Sequence, residues 1–378
     1  MIKRIEIQNY RSLENVTVDL DELTVLIGRA GTGKSNFVRA IRLLRTILTS
    51  RELLYSQFLA LRQQILPVGR NAEKFGYVVV LSILGLKNDL TYTVIFRTGD
   101  VDGHRILLEE RLTSGDEIVF HQSDGKWITA PSITPTPPPG QLALGSVTGV
   151  RLVTVAYVAL TTGIGCYDFP GSVLQSPGGP YVGRGFCDNG GNYLDTARSI
   201  IHNLERLDDW ADLSNALQAV NRAVRTVDLH APAENRLDVV YAIGDKLLQM
   251  DVAEESEGFR RFLAHLLALY QSPPKQTLIF EHPEHGIHPG ALTALFEEFE
   301  SYVRSGRGQI ILTTHSPQFL NHVKAENIRV VDIQDQTTRI GPLAPEQREA
   351  IEEHLLEAGE LLTVDPARLP GQLDEVPG

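Results

Sequence analysis

The residue pattern predicts an α/β protein, and three observations carry that prediction. A glycine-rich stretch, Gly28 to Ser35, stands between an apolar strand and an amphipathic helix. The first third is otherwise dominated by short β-branched and aromatic runs, which favour strands. The last third alternates fully apolar short strands with helical periods, the mark of a mostly parallel sheet covered on both faces.

Taken in order, residues 2–8, 16–20 and 23–28 read as strands separated by turn residues. A helix follows with Phe37, Ala40, Ile41, Leu44 and Leu48 on one face, and a second helical stretch covers 51–65. Residues 76–84, 91–97, 105–112 and 117–121 form an antiparallel meander. Residues 130–142 hold five prolines, which excludes a helix or a central strand and reads as a linker. The Gly- and Pro-rich stretch 167–191 is irregular, and helices resume at 192–207 and 211–224. Strands 237–243 and 246–252 join through Gly244-Asp245, a tight hairpin turn. A helix at 257–270, a buried strand at 277–281, a helix at 291–303 and buried strands at 309–313 and 328–333 follow. After them come an edge segment and an acidic helix at 345–359. The resulting division is a P-loop lobe with its β meander (1–130), a linker with a helical insertion (131–235) and a C-terminal lobe (236–378).

Composition limits the function classes. A net charge of −12 over 378 residues argues against a surface built for nucleic acid. Arg39, Arg42 and Arg45 recur at helical spacing and read as a solvated helix face. No apolar run reaches the length of about eighteen residues that a membrane span requires. The alternating N-terminus is a strand and not a signal peptide. With two cysteines, Cys166 and Cys187, a disulfide framework is not expected, and a cytoplasmic location is.

Gly28-Arg29-Ala30-Gly31-Thr32-Gly33-Lys34-Ser35 fits the phosphate-binding pattern G-x-x-x-x-G-K-[ST] without a gap. Glycines let backbone N–H groups turn inward toward phosphate oxygens, and the helix N-terminus adds its positive dipole end. Lys34 is expected to reach the β- and γ-phosphates of ATP and Ser35 to hold Mg²⁺. Such a loop needs a distal acid for the metal. Thr277-Leu278-Ile279-Phe280-Glu281 supplies one at the end of an apolar strand, followed by His282-Pro283-Glu284-His285-Gly286-Ile287-His288-Pro289. Farther on, Ile311-Leu312-Thr313-Thr314-His315-Ser316-Pro317 places a histidine after another buried strand. Ser256-Glu257-Gly258 opens the helix before the acidic strand.

In this order, these motifs resemble the RecF-like and SMC-like ABC ATPases. More closely, they resemble the bacterial AAA-family ATPases related to the overcoming-lysogenisation-defect group. Asn9-Tyr10-Arg11-Ser12-Leu13 is similar to that group's opening motif. Tyr167-Asp168-Phe169-Pro170 and residues 188–194 are similar to its middle segment, and residues 353–363 to its ending. The resemblance implies an ABC-type P-loop ATPase head using ATP and Mg²⁺. It implies that Arg11, Ser12 and Asn36 lie near the nucleotide, that Glu281 is the Mg²⁺-associated acid and that His315 senses the γ-phosphate. It further implies that Ser256 and Gly258 form a signature motif contacting the γ-phosphate on an opposite chain. Two chains would then close head to head on two ATPs, as a homodimer or a higher oligomer.

Two residues depart from that family. His282 stands where a second acid normally acts as general base; a neutral imidazole can still accept a proton. Glu255 stands where an apolar residue normally opens the signature motif, and its charge repels a phosphate unless it points away. Glu284 is a structural or metal-shell candidate. The run His282, His285, His288 invites a zinc reading, but Pro283 and Pro289 exclude a regular helix, and His288 is read instead as part of the Ile-His-Pro element. The function expected is a slowly hydrolysing, dimerising ATP switch in anti-phage defence or DNA maintenance, paired with an effector such as a nuclease. A TOPRIM-type nuclease domain is not expected after His315. The alternatives are a nucleotide-gated scaffold that does not hydrolyse and a RecF-like DNA-binding repair protein.

Overall fold

A computed structural model describes residues 1–49, 65, 72–98, 107–131, 142–176, 185–203, 208–229 and 236–372. Apart from Ile65, the helix expected at 51–65 lies outside the described residues, as do 132–141 of the proline-rich linker. The chain divides into two compact units. One comprises residues 1–164, 324–356 and 364–378, and the other 165–323 and 357–363.

The first unit contains an antiparallel sheet with the order β2-β1-β4-β5-β6-β7-β8. Its strands are β1 (Ile2–Tyr10), β2 (Leu13–Asp19), β4 (Lys74–Leu81), β5 (Leu90–Arg97), β6 (Leu107–Ser114), β7 (Glu117–Ser123) and β8 (Lys126–Thr129). Ile5 and Ile7 on β1 and Val16 and Val18 on β2 are buried, with polar or charged neighbours that are more exposed. This is the period-2 alternation of a strand with one dry face. Strand β3 (Leu23–Ile27) is buried at every position, as a central strand should be. It pairs in parallel with β15 (Ile328–Gln334), and β15 pairs antiparallel with β16 (Thr337–Pro342). Thus β15 joins the compact unit that holds the glycine-rich loop. Helix α1 (Lys34–Thr49) buries Phe37, Ala40, Ile41, Leu44 and Leu48, the face expected from the sequence. Tyr77 ties it to the sheet by donating its hydroxyl to Ala40 O at 2.8 Å.

Two short helices, α2 (Ala143–Ser146) and α3 (Arg151–Leu160), complete this unit's middle. Buried Glu110 of β6 caps α2: its carboxylate accepts from Ala143 N at 2.6 Å and Leu144 N at 3.0 Å. The same two oxygens take Tyr92 Oη and Gln122 Nε2, so a buried charge is matched by four donors.

The second unit contains β13 (Thr277–Glu281) and β14 (Gln309–Thr313), parallel and fully buried, with β9 (Ile164–Tyr167) on the other side of β13. Helices α6 (Glu257–Tyr270) and α7 (Pro289–Arg304) have the expected places, while α4 (Tyr193–Ile201) and α5 (Asp208–Val220) are each shorter or shifted. The expected helix at 211–224 ends early because Val224 opens a strand, β10 (Val224–Leu229). With β11 (Leu237–Ile243) and β12 (Lys246–Asp251) it forms a small antiparallel sheet. The core of the second unit is aromatic: Phe169, Phe280 and Phe299 surround His265, and Tyr167 packs on Phe169 and Phe280. Burial pulls the His265 imidazole down to about 4, so it sits there neutral, its Nδ1 donating to Arg261 O.

The tail differs from expectation. The acidic helix α9 (Pro345–Glu352) stops early, and a separate 3-10 turn covers Ala358–Leu362. A short helix α8 (Pro317–Leu320) follows β14, capped by Ser316. Among the described residues, no helix is long and apolar enough to cross a membrane.

Candidate functional site

In the first unit, Gly28, Arg29, Ala30, Gly31, Thr32 and Gly33 form the bend that carries β3 into α1. Thr32 Oγ1 closes it by donating to Arg29 O at 2.9 Å. Gly33 has φ 110°, and a Cβ there would meet Thr338 Oγ1 at 2.3 Å, so both the backbone and the space demand glycine. Lys34 lies folded along the bend, 4% exposed, and Nζ donates to Gly28 O at 2.7 Å and Arg29 O at 2.8 Å. These are neutral acceptors, and burial pulls the ammonium down to about 8. The first turn of α1 carries no acidic residue. Among the described residues, this buried cation is held by neutral acceptors alone, at a helix N-terminus with no acidic residue in its first turn, which is the setting a phosphate chain fits. Ser35, half-buried, is the next residue on α1.

The turn between β1 and β2 is tied to this bend. Asn9 and Arg11 adopt positive φ, 55° and 51°. Ser12 Oγ accepts from Asn36 Nδ2 at 2.9 Å and lies 2.7 Å from Thr338 Oγ1, which donates to Thr32 O at 2.8 Å. Arg11 Nη1 reaches Asn36 Oδ1 at 3.4 Å. Arg11, Ser12, Asn36 and the loop are thus brought together, as the sequence motifs suggested. Thr338 of β16, which no motif marks, is the link between them.

In the second unit, Glu281 ends β13 and is 8% exposed. His282 has φ 49°, a sparsely populated conformation for a residue before proline. It is held by donating its N–H to Thr313 O at 3.0 Å and Thr313 Oγ1 at 3.2 Å. The chain then winds tightly, with His285 N donating to His282 O at 3.0 Å. Three imidazoles stack here: His282 lies 4.7 Å from His285 and 5.1 Å from His315, the ring planes within 11° of parallel. Beneath them Glu284 Oε1 accepts from the backbone N–H of His315 at 2.8 Å and lies 3.8 Å from His282 Nδ1. Burial works against the Glu284 charge, but the nearby His282 imidazole, the hydrogen bond from the His315 amide and the Thr314 hydroxyl outweigh it and hold the carboxyl below its usual range.

Ser256 caps α6, its Oγ accepting from Phe259 N at 3.3 Å. Gly258 is required by a close approach, since a Cβ there would meet Gly286 O at 2.7 Å. Glu255 is turned into its own unit. It accepts a hydrogen bond from the Tyr241 hydroxyl, is 8% exposed, and burial raises its carboxyl. The repulsion its sequence position suggested is relieved in that way. His288 is not gathered with the other histidines: its Nδ1 accepts from Gly290 N at 3.1 Å and caps α7. Cys166 and Cys187 form no disulfide.

Residues 1–65 match the family described as an AAA ATPase domain, and residues 192–321 match an AAA domain described as a putative AbiEii toxin of a type IV toxin–antitoxin system. No curated protein matches the chain. Three solved structures share the fold. An SMC head bound to the C-terminal winged-helix domain of ScpA is 12% identical, with a TM-score of 0.56 over 93% of this chain and 99% of that one. The Pyrococcus furiosus SMC head with an extended coiled coil, bound to the C-terminal domain of ScpA, is 12% identical with a TM-score of 0.53, covering 94% and 99%. The Thermotoga maritima SMC head domain is 11% identical with a TM-score of 0.51, covering 90% and 98%. The chain therefore carries AAA-family ATPase segments on the fold of an SMC-type ABC head.

Proposed function

We propose that this chain binds Mg²⁺–ATP at the Gly28–Ser35 loop, hydrolyses it slowly, and uses the cycle to switch between separate and head-to-head paired chains. The observation that carries the reading is Lys34: a buried ammonium, held by neutral carbonyls alone among the described residues, at a helix N-terminus whose first turn holds no acidic residue. ATP supplies the anion that this arrangement lacks. On this reading Gly28 to Ser35, with Arg11, Ser12 and Asn36, bind the nucleotide. Ser35 and Glu281 are hard oxygen donors suited to Mg²⁺, which neutralises phosphate charge when bound.

His282 is the proposed base. A proton taken by its imidazole leaves a cation whose Nδ1 stands 3.8 Å from the Glu284 carboxylate, close enough for that carboxylate to stabilise the imidazolium. The hydrogen bond from the His315 backbone N–H to Glu284 couples the proposed γ-phosphate sensor to the carboxylate beside the proposed base. Ser256 and Gly258 act on the nucleotide of a second chain. The output passes to a partner protein, an effector such as a nuclease, in anti-phage defence or DNA maintenance. SMC heads of this fold are bound by ScpA domains, which supports a partner-driven role.

A second reading, a scaffold that binds ATP without turnover, is favoured by one observation: His282 replaces a carboxylate base. Light scattering of the purified chain with ATP, with and without Ser256→Arg, tests the pairing. ATP-dependent doubling of mass in the wild type alone supports it. A single mass with and without ATP overturns it.

A further inference from the structure

Among the described residues of the second unit, three buried polar atoms lack a hydrogen-bond partner: Gln276 Oε1, His282 Nδ1 and Glu284 Oε2, the last two on neighbouring side chains. Unsatisfied buried polar atoms are costly and call for a bound group. Beside them stands a third donor, His285, and one ligand atom from each of the three residues lies within 4.8 Å of the others. We propose that His282, Glu284 and His285 form a site for a divalent transition metal of the zinc class, separate from the Mg²⁺ that accompanies ATP.

The chemistry of the donors selects the ion. Two imidazole nitrogens and one carboxylate oxygen suit zinc and its neighbours, whereas Mg²⁺ demands a near-octahedral shell of oxygens. The distances are near what ligation needs. Metal–ligand bonds of about 2.1 Å put tetrahedral ligand atoms about 3.4 Å apart. The three ligand atoms lie within 4.8 Å of one another, and His282 Nδ1 stands 3.8 Å from Oε1, the neighbouring oxygen of the same Glu284 carboxylate. His285 makes the remaining adjustment. Its ring is exposed and stacked on His282, so it turns about its own side-chain torsions to bring a nitrogen into the plane of the metal.

The support behind the ligands is already built. The His315 amide holds Glu284 Oε1, leaving Oε2 to ligate, which is the outer-shell bonding that fixes metal carboxylates. The turn that presents the three residues is fixed by Pro283 and by the two bonds from His282 N–H to Thr313. Solvent can fill the fourth position on the exposed side. Binding itself does not rest on the proposed ATP cycle. If His282 is also the base, metal occupancy and proton acceptance exclude each other, and the metal becomes a brake on turnover.

The test uses nucleotide-free, full-length protein titrated with Co²⁺, a spectroscopic substitute for zinc, in excess Mg²⁺. One equivalent of Co²⁺ with the visible absorption of a four-coordinate ion, displaced by Zn²⁺, is expected. His285→Ala, an exposed change, should weaken binding at least about tenfold, in the range that lost metal-site interactions show. Glu284→Gln should do the same, and His288→Ala should leave it unchanged. Absence of stoichiometric Co²⁺ binding by the wild type, or wild-type binding by His285→Ala, overturns the site. Loss of binding in His288→Ala equal to that in His285→Ala overturns the ligand set.

Discussion

Ser12 and Thr338, 326 positions apart, place their hydroxyl oxygens 2.7 Å from each other directly over the bend that precedes α1. Thr338 also donates to Thr32 O, and Ser12 accepts from Asn36. The pair makes a polar clasp in which each hydroxyl has both a donor and an acceptor role. Thr338→Val keeps the shape and removes the hydrogen bonds, leaving Thr32 O and Ser12 Oγ short of partners. The expected cost is about 1–2 kcal/mol in stability, with ATP affinity reduced severalfold. Chemical denaturation and nucleotide titration check it.

Lys34 gives a pH prediction. Its folded pKa is lowered to about 8 from 10.5, so between those values the unfolded chain holds more protons than the folded one. Stability of the nucleotide-free protein, measured against Lys34→Met, should therefore rise as pH rises through that window. Phosphate reverses the shift. ATP binding at about pH 9 should take up a proton, read from calorimetry in buffers of different ionisation enthalpy.

His282→Glu restores the carboxylate that the sequence resemblance leads one to expect. Turnover should increase about tenfold or more, within the range that a better-matched general base supplies. Steady-state phosphate release measures it. No increase would mean that His282 is not what limits the rate.

Glu110 tests the fold apart from the chemistry. Its two oxygens accept from Tyr92, Gln122, Ala143 and Leu144. Glu110→Gln sets an amide donor against donors already in place. The expected loss is about 3 kcal/mol or more, visible as a lowered denaturation midpoint.

How much of this was legible in the sequence depended on whether partners were contiguous. The loop from Gly28 to Ser35, the strand ending at Glu281 and the helix opened by Ser256 each sit within one short segment, and local pattern carried them. Strand β15 was legible as a buried strand, but its parallel pairing with β3 was not, because a short buried strand carries no local pattern that advertises a neighbour about 300 residues away in the chain. Thr338 had no signal at all; its role comes from a strand that folds back across most of the chain. Glu255 was legible as a misplaced charge, but not its answer, since Tyr241 lies on a separate strand. The histidine run showed its residues but not their grouping. His288 was read apart from the other two and caps α7, whereas the turn at His282 brings Glu284 and His285 together in a way the spacing alone did not indicate.

The central claim is that the Gly28–Ser35 loop binds ATP and that the chain turns it over. Phosphate release from Mg²⁺–ATP by the purified chain, with Lys34→Ala as the blank, tests it most directly. Slow release above that blank is the predicted result. Release no faster than Lys34→Ala would contradict it.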